Sequence, residues 1–197
     1  MKELFSEIPY IEGESIVLRR LTEEDAEPLK ELADSPSVNR FLPTFLFEQK
    51  YEDPREVILR LYDECFKESI ILGVFEQDRF CGLAEMYGYR PAAYKISVGG
   101  RLLERAWGRG MAKEALQLMI QYLFEETNIR LITASTMIEN ERSPQVLRAN
   151  GFRMLLHAVE EDWGRSEPVK ADKWILRKAC PEEEPVLSEE FTNFAGA

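Results

Sequence analysis

The stretch from Lys95 to Ala115 reads KISVGGRLLERAWGRGMAKEA, and its hydrophobic pattern changes halfway along. Polar and apolar residues alternate at its start, which predicts a β-strand. From Met111 to Leu123 the apolar residues fall on one helical face, which predicts an α-helix. Gly108 and Gly110 lie at the turn between the two. A glycine pair there lets the backbone approach a ligand closely, and the first N–H groups of the helix favour an anion, above all phosphate.

Two common phosphate-binding designs do not fit this turn. A dinucleotide-binding loop needs a third glycine, but Ala112 and Lys113 follow Gly110 instead. A P-loop needs Gly-Lys followed by Ser or Thr, which the stretch lacks. The turn is therefore predicted to hold phosphate by another design. The alternative is a tight turn in which glycine only permits a positive φ angle.

The residues Arg105-x-x-Gly108-x-Gly110 resemble the Gln/Arg-x-x-Gly-x-Gly/Ala motif with which GNAT acyltransferases bind the pyrophosphate of acetyl-CoA. A second stretch, Asn140-x-x-Ser143-x-x-Val-Leu-x-x-x-Gly-Phe152, is similar to a segment of the RimJ/RimL-like branch of that family. The two motifs occur in the family's order, and the pair is more specific than either motif alone. The resemblance covers residues 15 to 152, and more loosely the strands up to Lys178.

The resemblance implies a single-domain α/β fold (an α+β mixed sheet) with a GNAT-like splayed central sheet flanked by helices. In the family, two neighbouring parallel strands diverge, and the pantetheine arm of the cofactor enters the gap. Here these are the strands that end near Leu102 and near Ile138, with Gly99-Gly100 as the expected bulge. The residues implied to bind acetyl-CoA are Arg101, Leu102, Arg105, Trp107, Gly108, Arg109, Gly110, Met111, Ala112, Asn140 and Ser143.

The chemistry implied by the resemblance is direct attack of an amine on the thioester. Ser143 is the implied acid for the leaving thiolate, and the alternative is that it caps the following helix. Two carboxylates, Glu85 and Glu139, are candidates for the general base. Each of them can equally be an ordinary carboxylate, with a relayed water taking the proton.

Elsewhere the chain alternates predicted strands and helices in the order β-α-α-β-β-β-α-β-α-β-β. Thr22 and the pair Asp53-Pro54 predict helix starts. The stretch from Phe41 to Phe47 has no clear period, and its aromatic side chains are predicted either to shape an acceptor pocket or to join the core. The predicted division is an N-terminal extension over 1–14, an acetyltransferase domain over 15–180 and an acidic, loose tail over 181–197.

Composition narrows the class of protein. The chain has 197 residues, of which 45% are hydrophobic, and this suffices for one globular domain with a full core. It shows neither an apolar run that could span a bilayer nor a signal-peptide core, so a cytoplasmic protein without membrane contact is expected. Three separated cysteines and a single histidine predict reduced thiols and no metal site.

The net charge of −11 argues against nucleic acid as a partner. It mildly favours a cationic acceptor, although it can equally serve solubility. The predicted function is transfer of an acetyl group from acetyl-CoA to a primary amine, either a protein N-terminus or a small amine, in a ternary complex formed by a monomer or homodimer. The alternative is a CoA-binding regulatory or interaction module without transferase activity.

Overall fold

The structure, a computed structural model, describes residues 7–65 and 69–179. The predicted acidic tail over 181–197 lies outside the described residues, as do the first six residues of the predicted N-terminal extension. Within the described part of the chain, no helix is both long enough and apolar enough to cross a membrane.

The centre of the fold is one eight-stranded sheet in the order β1-β2-β3-β4-β5-β6-β8-β7. The strands are β1 Ile11–Glu12, β2 Val17–Arg19, β3 Ser69–Glu76, β4 Arg79–Arg90, β5 Lys95–Leu102, β6 Leu131–Met137, β7 Arg153–Glu161 and β8 Val169–Arg177. All neighbouring pairs are antiparallel except β5 and β6, which run parallel. The predicted mixed α/β sheet is therefore confirmed.

The parallel pair is joined only at its start. β5 and β6 pair from Lys95 opposite Leu131 to Ser97 opposite Thr133, and no further. Beyond Ser97, β5 stays paired with β4 while β6 stays paired with β8. The two strands therefore part, and the predicted splay is confirmed.

The predicted bulge at Gly99-Gly100 is wrong. Gly99 lies opposite Glu85 and Gly100 opposite Ala84 in an unbroken register, and the irregularity of this pair falls between Tyr87 and Arg90. The splay opens between β5 and β6, while each strand keeps a regular register with its outer neighbour. The glycine at Gly100 instead allows close strand approach, since an added Cβ would lie 3.2 Å from the Leu83 carbonyl oxygen.

Within residues 7–65 and 69–179, five α-helices flank the sheet: α1 Ala26–Asp34, α2 Pro36–Asn39, α3 Pro54–Arg60, α4 Met111–Glu126 and α5 Arg142–Ala149. The predicted start at Asp53-Pro54 is confirmed, because the Arg55 N–H donates to Asp53 Oδ1 at 2.9 Å. Near the other predicted start, the Thr22 N–H donates to Asp25 Oδ2 at 2.8 Å, and a short 3₁₀ turn leads into α1. α3 continues into a π-helical turn over Leu61–Cys65.

The two faces of the sheet are covered differently. One face packs on α4 through a cluster that includes Met119, Leu123, Val98 and Ile132. On the other face, α1 and α3 pack against β3 and β4 in a second cluster that includes Leu29, Val57, Ile71 and Leu83. The helices of this second face lie over one end of the sheet, so the splayed strands remain accessible beside them.

Candidate active site

A groove of about 1460 Å³ opens at the splayed strands. One end is lined by the turn that precedes α4, and the other by the loop between α2 and α3. We call these the phosphate end (residues 105–112) and the acceptor end (residues 40–48 with Glu85, Arg101 and Trp163). The groove brings Ser143, Glu85 and Glu139 into one lining with the predicted turn.

The glycines of the phosphate end face open space. Gly108 has φ +72° and Gly110 φ +82°, a conformation that L side chains rarely adopt. A Cβ added at either position would meet no atom within 4 Å, so the protein itself does not fill this space. In a tight turn packed against the body of the protein, an added Cβ would instead contact neighbouring atoms. The geometry fits a ligand lying against the backbone, and α4 begins directly afterwards at Met111, which is the arrangement that binds phosphate.

The two arginines of the turn are paired with carboxylates. Arg105 forms an ion pair with Glu31 on α1 and donates to the Phe80 carbonyl oxygen at 3.3 Å. Its hydrogen bond to Glu31 raises the pKa of Arg105 and lowers that of Glu31. Arg109 pairs with Glu76 at 2.5 Å and is half exposed. Arg105 therefore anchors the turn to the body, while Arg109 stays near the surface of the turn.

Trp107 ties the turn to the splayed strand. Its Nε1 donates to the Leu102 carbonyl oxygen at 2.8 Å, and the Arg142 guanidinium lies 4.7 Å from the centre of its ring. The turn, the end of β5 and the start of α5 are therefore held together by one side chain. Trp107, predicted as a cofactor contact, thus also has a structural role.

The edge of β5 that faces the gap can be identified from the register. The Leu103 N–H donates to the Cys81 carbonyl oxygen at 2.9 Å, so these two residues form a hydrogen-bonded pair. Hydrogen-bonded pairs alternate along antiparallel strands. The backbone groups of Arg101 therefore point toward β4, and those of Gly100 and Leu102 point toward the gap. The Arg101 side chain contacts the acceptor end.

Asn140 and Ser143 lie together at the start of α5. The backbone N–H groups of Arg142 and Ser143 each donate to Asn140 Oδ1 at 3.2 Å. The Asn140 side chain therefore satisfies the first N–H groups of α5, which begins at Arg142, and Ser143 lies inside the helix, so the alternative that Ser143 is the cap is wrong. The Asn140 Nδ2 donates to Ser143 Oγ at 2.9 Å. This bond uses the serine oxygen as acceptor and leaves its hydroxyl proton free to donate.

The acceptor end is closed by two loops that bind each other. The Thr44 N–H donates to the Trp163 carbonyl oxygen at 2.9 Å. Arg165 Nη2 donates to the carbonyl oxygens of Arg40 at 2.7 Å and Leu42 at 3.0 Å. The aromatic stretch is divided: Phe47 is buried in the core, whereas Phe45 lines the groove with 62% of its surface exposed.

The acceptor end also contains a buried group of charges that motif reasoning missed. Arg101 contacts Glu48 at 2.6 Å and Glu85 at 3.2 Å. Burial alone would lower the pKa of Arg101, but the two carboxylates outweigh it and raise this pKa. A charged residue inside the otherwise apolar end of β5 was the only sequence signal for this group, and nothing near Glu48 identifies it as the partner.

The two candidate bases differ in their surroundings. Glu85 is partly buried, with 21% of its side chain exposed, whereas Glu139 is exposed at the rim. Two carboxylates, Glu48 and Glu85, flank the single guanidinium of Arg101, and the net negative charge of this group suits a cationic amine. Among the described residues, no cluster of His, Cys, Asp and Glu side chains is arranged to hold a metal ion.

Residues 15–153 match the family described as the acetyltransferase (GNAT) domain. The chain belongs to the GNAT acetyltransferase family. It is 29% identical over 158 residues to an uncharacterized N-acetyltransferase, p20, of Bacillus licheniformis, covering 77% of this chain and 88% of the relative. It is 24% identical over 145 residues to the ribosomal-protein-serine acetyltransferase of Escherichia coli (strain K12), covering 71% and 80%. This second relative supports the RimJ/RimL-like branch.

A solved structure has the same fold. The spermidine N-acetyltransferase from Vibrio cholerae, in complex with CoA and spermine, aligns with a TM-score of 0.69 at 18% identity. The alignment covers 84% of this chain and 96% of that one. The sequence-based prediction of a GNAT-type N-acetyltransferase fold and family is therefore confirmed.

Proposed function

We propose that this chain transfers the acetyl group of acetyl-CoA to a primary amine bound at the acceptor end. The observation that carries the proposal is the continuity of one groove from the open glycine turn, past Ser143, to the carboxylate of Glu85. Two comparisons support it: the Escherichia coli relative is a ribosomal-protein-serine acetyltransferase, and the Vibrio cholerae structure holds CoA and spermine.

Acetyl-CoA, as co-substrate, supplies the activated acetyl thioester. The backbone amides from Gly108 to Ala112 would hold its pyrophosphate, because they are open and stand at the start of α4. Arg109 is the basic side chain of the turn that is free to reorient, since its ion pair with Glu76 is half exposed. The gap-facing backbone of Gly100 and Leu102 would pair with the pantetheine amides. The Leu102 carbonyl oxygen already accepts a hydrogen bond from the Trp107 indole. The pantetheine amides would therefore bond to the Leu102 N–H and to the N–H and carbonyl oxygen of Gly100.

The reaction forms a C–N bond and breaks the C–S bond. The acceptor binds as an ammonium group and must lose a proton before its nitrogen attacks; Glu85 accepts that proton, directly or through water. The nitrogen then loses its second proton to solvent as the tetrahedral intermediate collapses to the amide and the C–S bond breaks. The Ser143 hydroxyl donates its proton to the departing thiolate and regains one from solvent. The Asn140 amide aids this role because its hydrogen bond fixes the serine oxygen and leaves the proton available.

A CoA-binding module without activity would share the open turn, so only turnover separates the two functions. The test incubates the protein with acetyl-CoA and three amines: spermidine, propylamine and a short peptide with an N-terminal serine. We expect thiol release that depends on one of these amines, with the acetylated amine identified by mass spectrometry. Tight CoA binding without amine-dependent thiol release would favour the module.

A further inference from the structure

Arg101 is a buried charge in the splayed half of β5. Only 5% of its side chain is exposed, and its neighbours in sequence are glycine and leucine. A guanidinium in such a place loses its hydration, and an apolar residue would often be as stable there or more so. Stability alone therefore does not account for an arginine at this position, and the reason lies in the two carboxylates that it contacts.

The guanidinium uses its two edges for two different carboxylates. Its Nε lies 2.6 Å from Glu48 Oε1, and its Nη2 donates to Glu48 Oε2 at 2.7 Å. Its Nη1 donates to Glu85 Oε2 at 3.2 Å. The planar fork of arginine makes this double contact possible, whereas the single ammonium group of lysine cannot reproduce it.

The two carboxylates are placed differently. Only 3% of the Glu48 side chain is exposed, and it lies behind Arg101 on the short 3₁₀ turn Phe47–Gln49. Glu85 is 21% exposed and lines the groove. The contact of Glu85 with Arg101 goes through Oε2, so Oε1 is not used by the guanidinium. One guanidinium carries one positive charge and two carboxylates carry two negative charges, so these three side chains together have a net negative charge. Of the two carboxylates, only Glu85 lines the groove.

Resting on the proposed function, we propose that Arg101 is a positioning residue for the acceptor: it fixes Glu85 so that one carboxylate oxygen faces the groove and binds the ammonium group of an alkylamine. Glu48 completes the arrangement because it holds the other edge of the guanidinium. It also connects the acceptor loop to the floor of the groove. Arg101 acts through Glu85 and does not itself contact the substrate.

Three sets of variants test this inference through the KM for the amine. Glu85→Gln removes the proton acceptor and should lower kcat. As the anion that binds the ammonium group is lost with it, the KM for the amine should also rise at least tenfold, while the KM for acetyl-CoA should stay within twofold. The double variant Arg101→Gln/Glu48→Gln replaces the buried ion pair by two amides and leaves Glu85 in place; it should raise the amine KM to a similar extent. Adding Glu85→Gln to that double variant should cause no further increase, because both changes remove the same interaction.

The matched control is Arg19→Gln. Arg19 on β2 pairs with the buried Asp25 at 3.1 Å and lies three strands away from β5 in the sheet, so its loss also removes an arginine–carboxylate pair. It should change neither KM. Steady-state kinetics would use whichever of spermidine, propylamine or the serine peptide the unmodified protein acetylates fastest.

Two results would overturn the inference. One is an unchanged amine KM in the double variant while Glu85→Gln raises it; the other is that the two effects multiply in the triple variant. Should the double variant not fold, Arg101→Lys keeps the charge and loses the fork, and the same non-additivity with Glu85→Gln is expected. Absence of turnover by the unmodified protein with all three amines would instead refute the proposed function, before any variant is made.

Discussion

The phosphate end and the acceptor end of the groove are built in different ways. At the phosphate end, the ligand contacts are backbone groups of consecutive residues, and two glycines at positive φ angles expose them. At the acceptor end, the groups are side chains from separate elements; Glu48 and Arg101, for example, are 53 positions apart in the chain. A backbone site demands particular residue types at fixed spacing, while a side-chain site demands only that distant residues meet.

Ser143 lies between the two ends, and its replacement is expected to have the largest effect. Ser143→Ala should lower kcat by about 100-fold, the low end for a general acid, because water can partly replace a hydroxyl in an open groove. The affinity for acetyl-CoA should stay near normal. The melting temperature should change little, since the Asn140 side chain, and not Ser143, accepts from the first N–H groups of α5.

Ser97→Ala is the control, because the Ser97 hydroxyl lies in the groove but bonds to the Thr133 hydroxyl at 2.9 Å. Full turnover in Ser143→Ala would show that the proton comes from solvent.

The backbone character of the phosphate end is tested by Gly108→Val. The side chain would enter the open space at the turn, and CoA affinity should fall at least tenfold, about 1.4 kcal/mol. Gly151→Val is a matched control, because Gly151 also has a positive φ, of +82°, but lies at the end of α5. Both variants share the backbone strain, and only the first should weaken CoA binding in calorimetry. Equal effects, or normal binding by a folded Gly108→Val, would contradict the assignment of the turn.

The side-chain character of the acceptor end is tested by Arg165→Met. This change removes the donors to the Arg40 and Leu42 carbonyl oxygens and loosens the loop over the groove. Loss of one such interaction, at about 1 kcal/mol, should raise the KM for the amine about fivefold. The KM for acetyl-CoA should not change. If both KM values rose together, the two ends would not be independent.

The smallest expected effect concerns the attachment of α4. Burial alone would raise the pKa of Glu114, but hydrogen bonds from Ser15 and from the Ile16 N–H outweigh it and lower this pKa. A lowered pKa in the folded state means that the stabilisation is present above the unfolded pKa, near 4.5, and is lost as the pH falls through the folded value. Glu114→Gln should therefore cost about 1 kcal/mol of unfolding free energy at pH 7 and less at acidic pH. Urea unfolding at both pH values measures the difference. A cost that is constant with pH would show that the charge is not involved.

Local patterns predicted most of the fold. The Asp53-Pro54 cap and the apolar face that begins at Met111 each predict a helix whose start the structure confirms. The bulge at Gly99-Gly100 failed because a glycine pair in a strand permits either a bulge or a close approach. The presence of Leu83 near Gly100 decides between them, and this contact comes from the neighbouring strand.

Within the site, Ser143 is a second case in which the local sequence permitted two structures and could not choose between them. The sequence placed a serine and an asparagine at the start of a helix, and either residue type is a good cap. The register of the first turn made Asn140 the acceptor of the backbone N–H groups and left Ser143 as the acceptor of its amide. The three positions between Asn140 and Ser143 therefore separate the residue that satisfies the helix N–H groups from the serine whose proton is available.

The sequence by itself determined the glycine turn, the helix that follows it and the family to which the chain belongs, because these depend on backbone conformation and on residues close together along the chain. Only the tertiary structure decided how the acceptor end is built. It paired Arg101 with Glu48 and Glu85, and it bound the loop after α2 to Trp163 and Arg165. The physical reason is that a charge buried in a strand needs a partner of opposite sign, but its position in the sequence does not specify which of the chain's carboxylates the fold will bring to it.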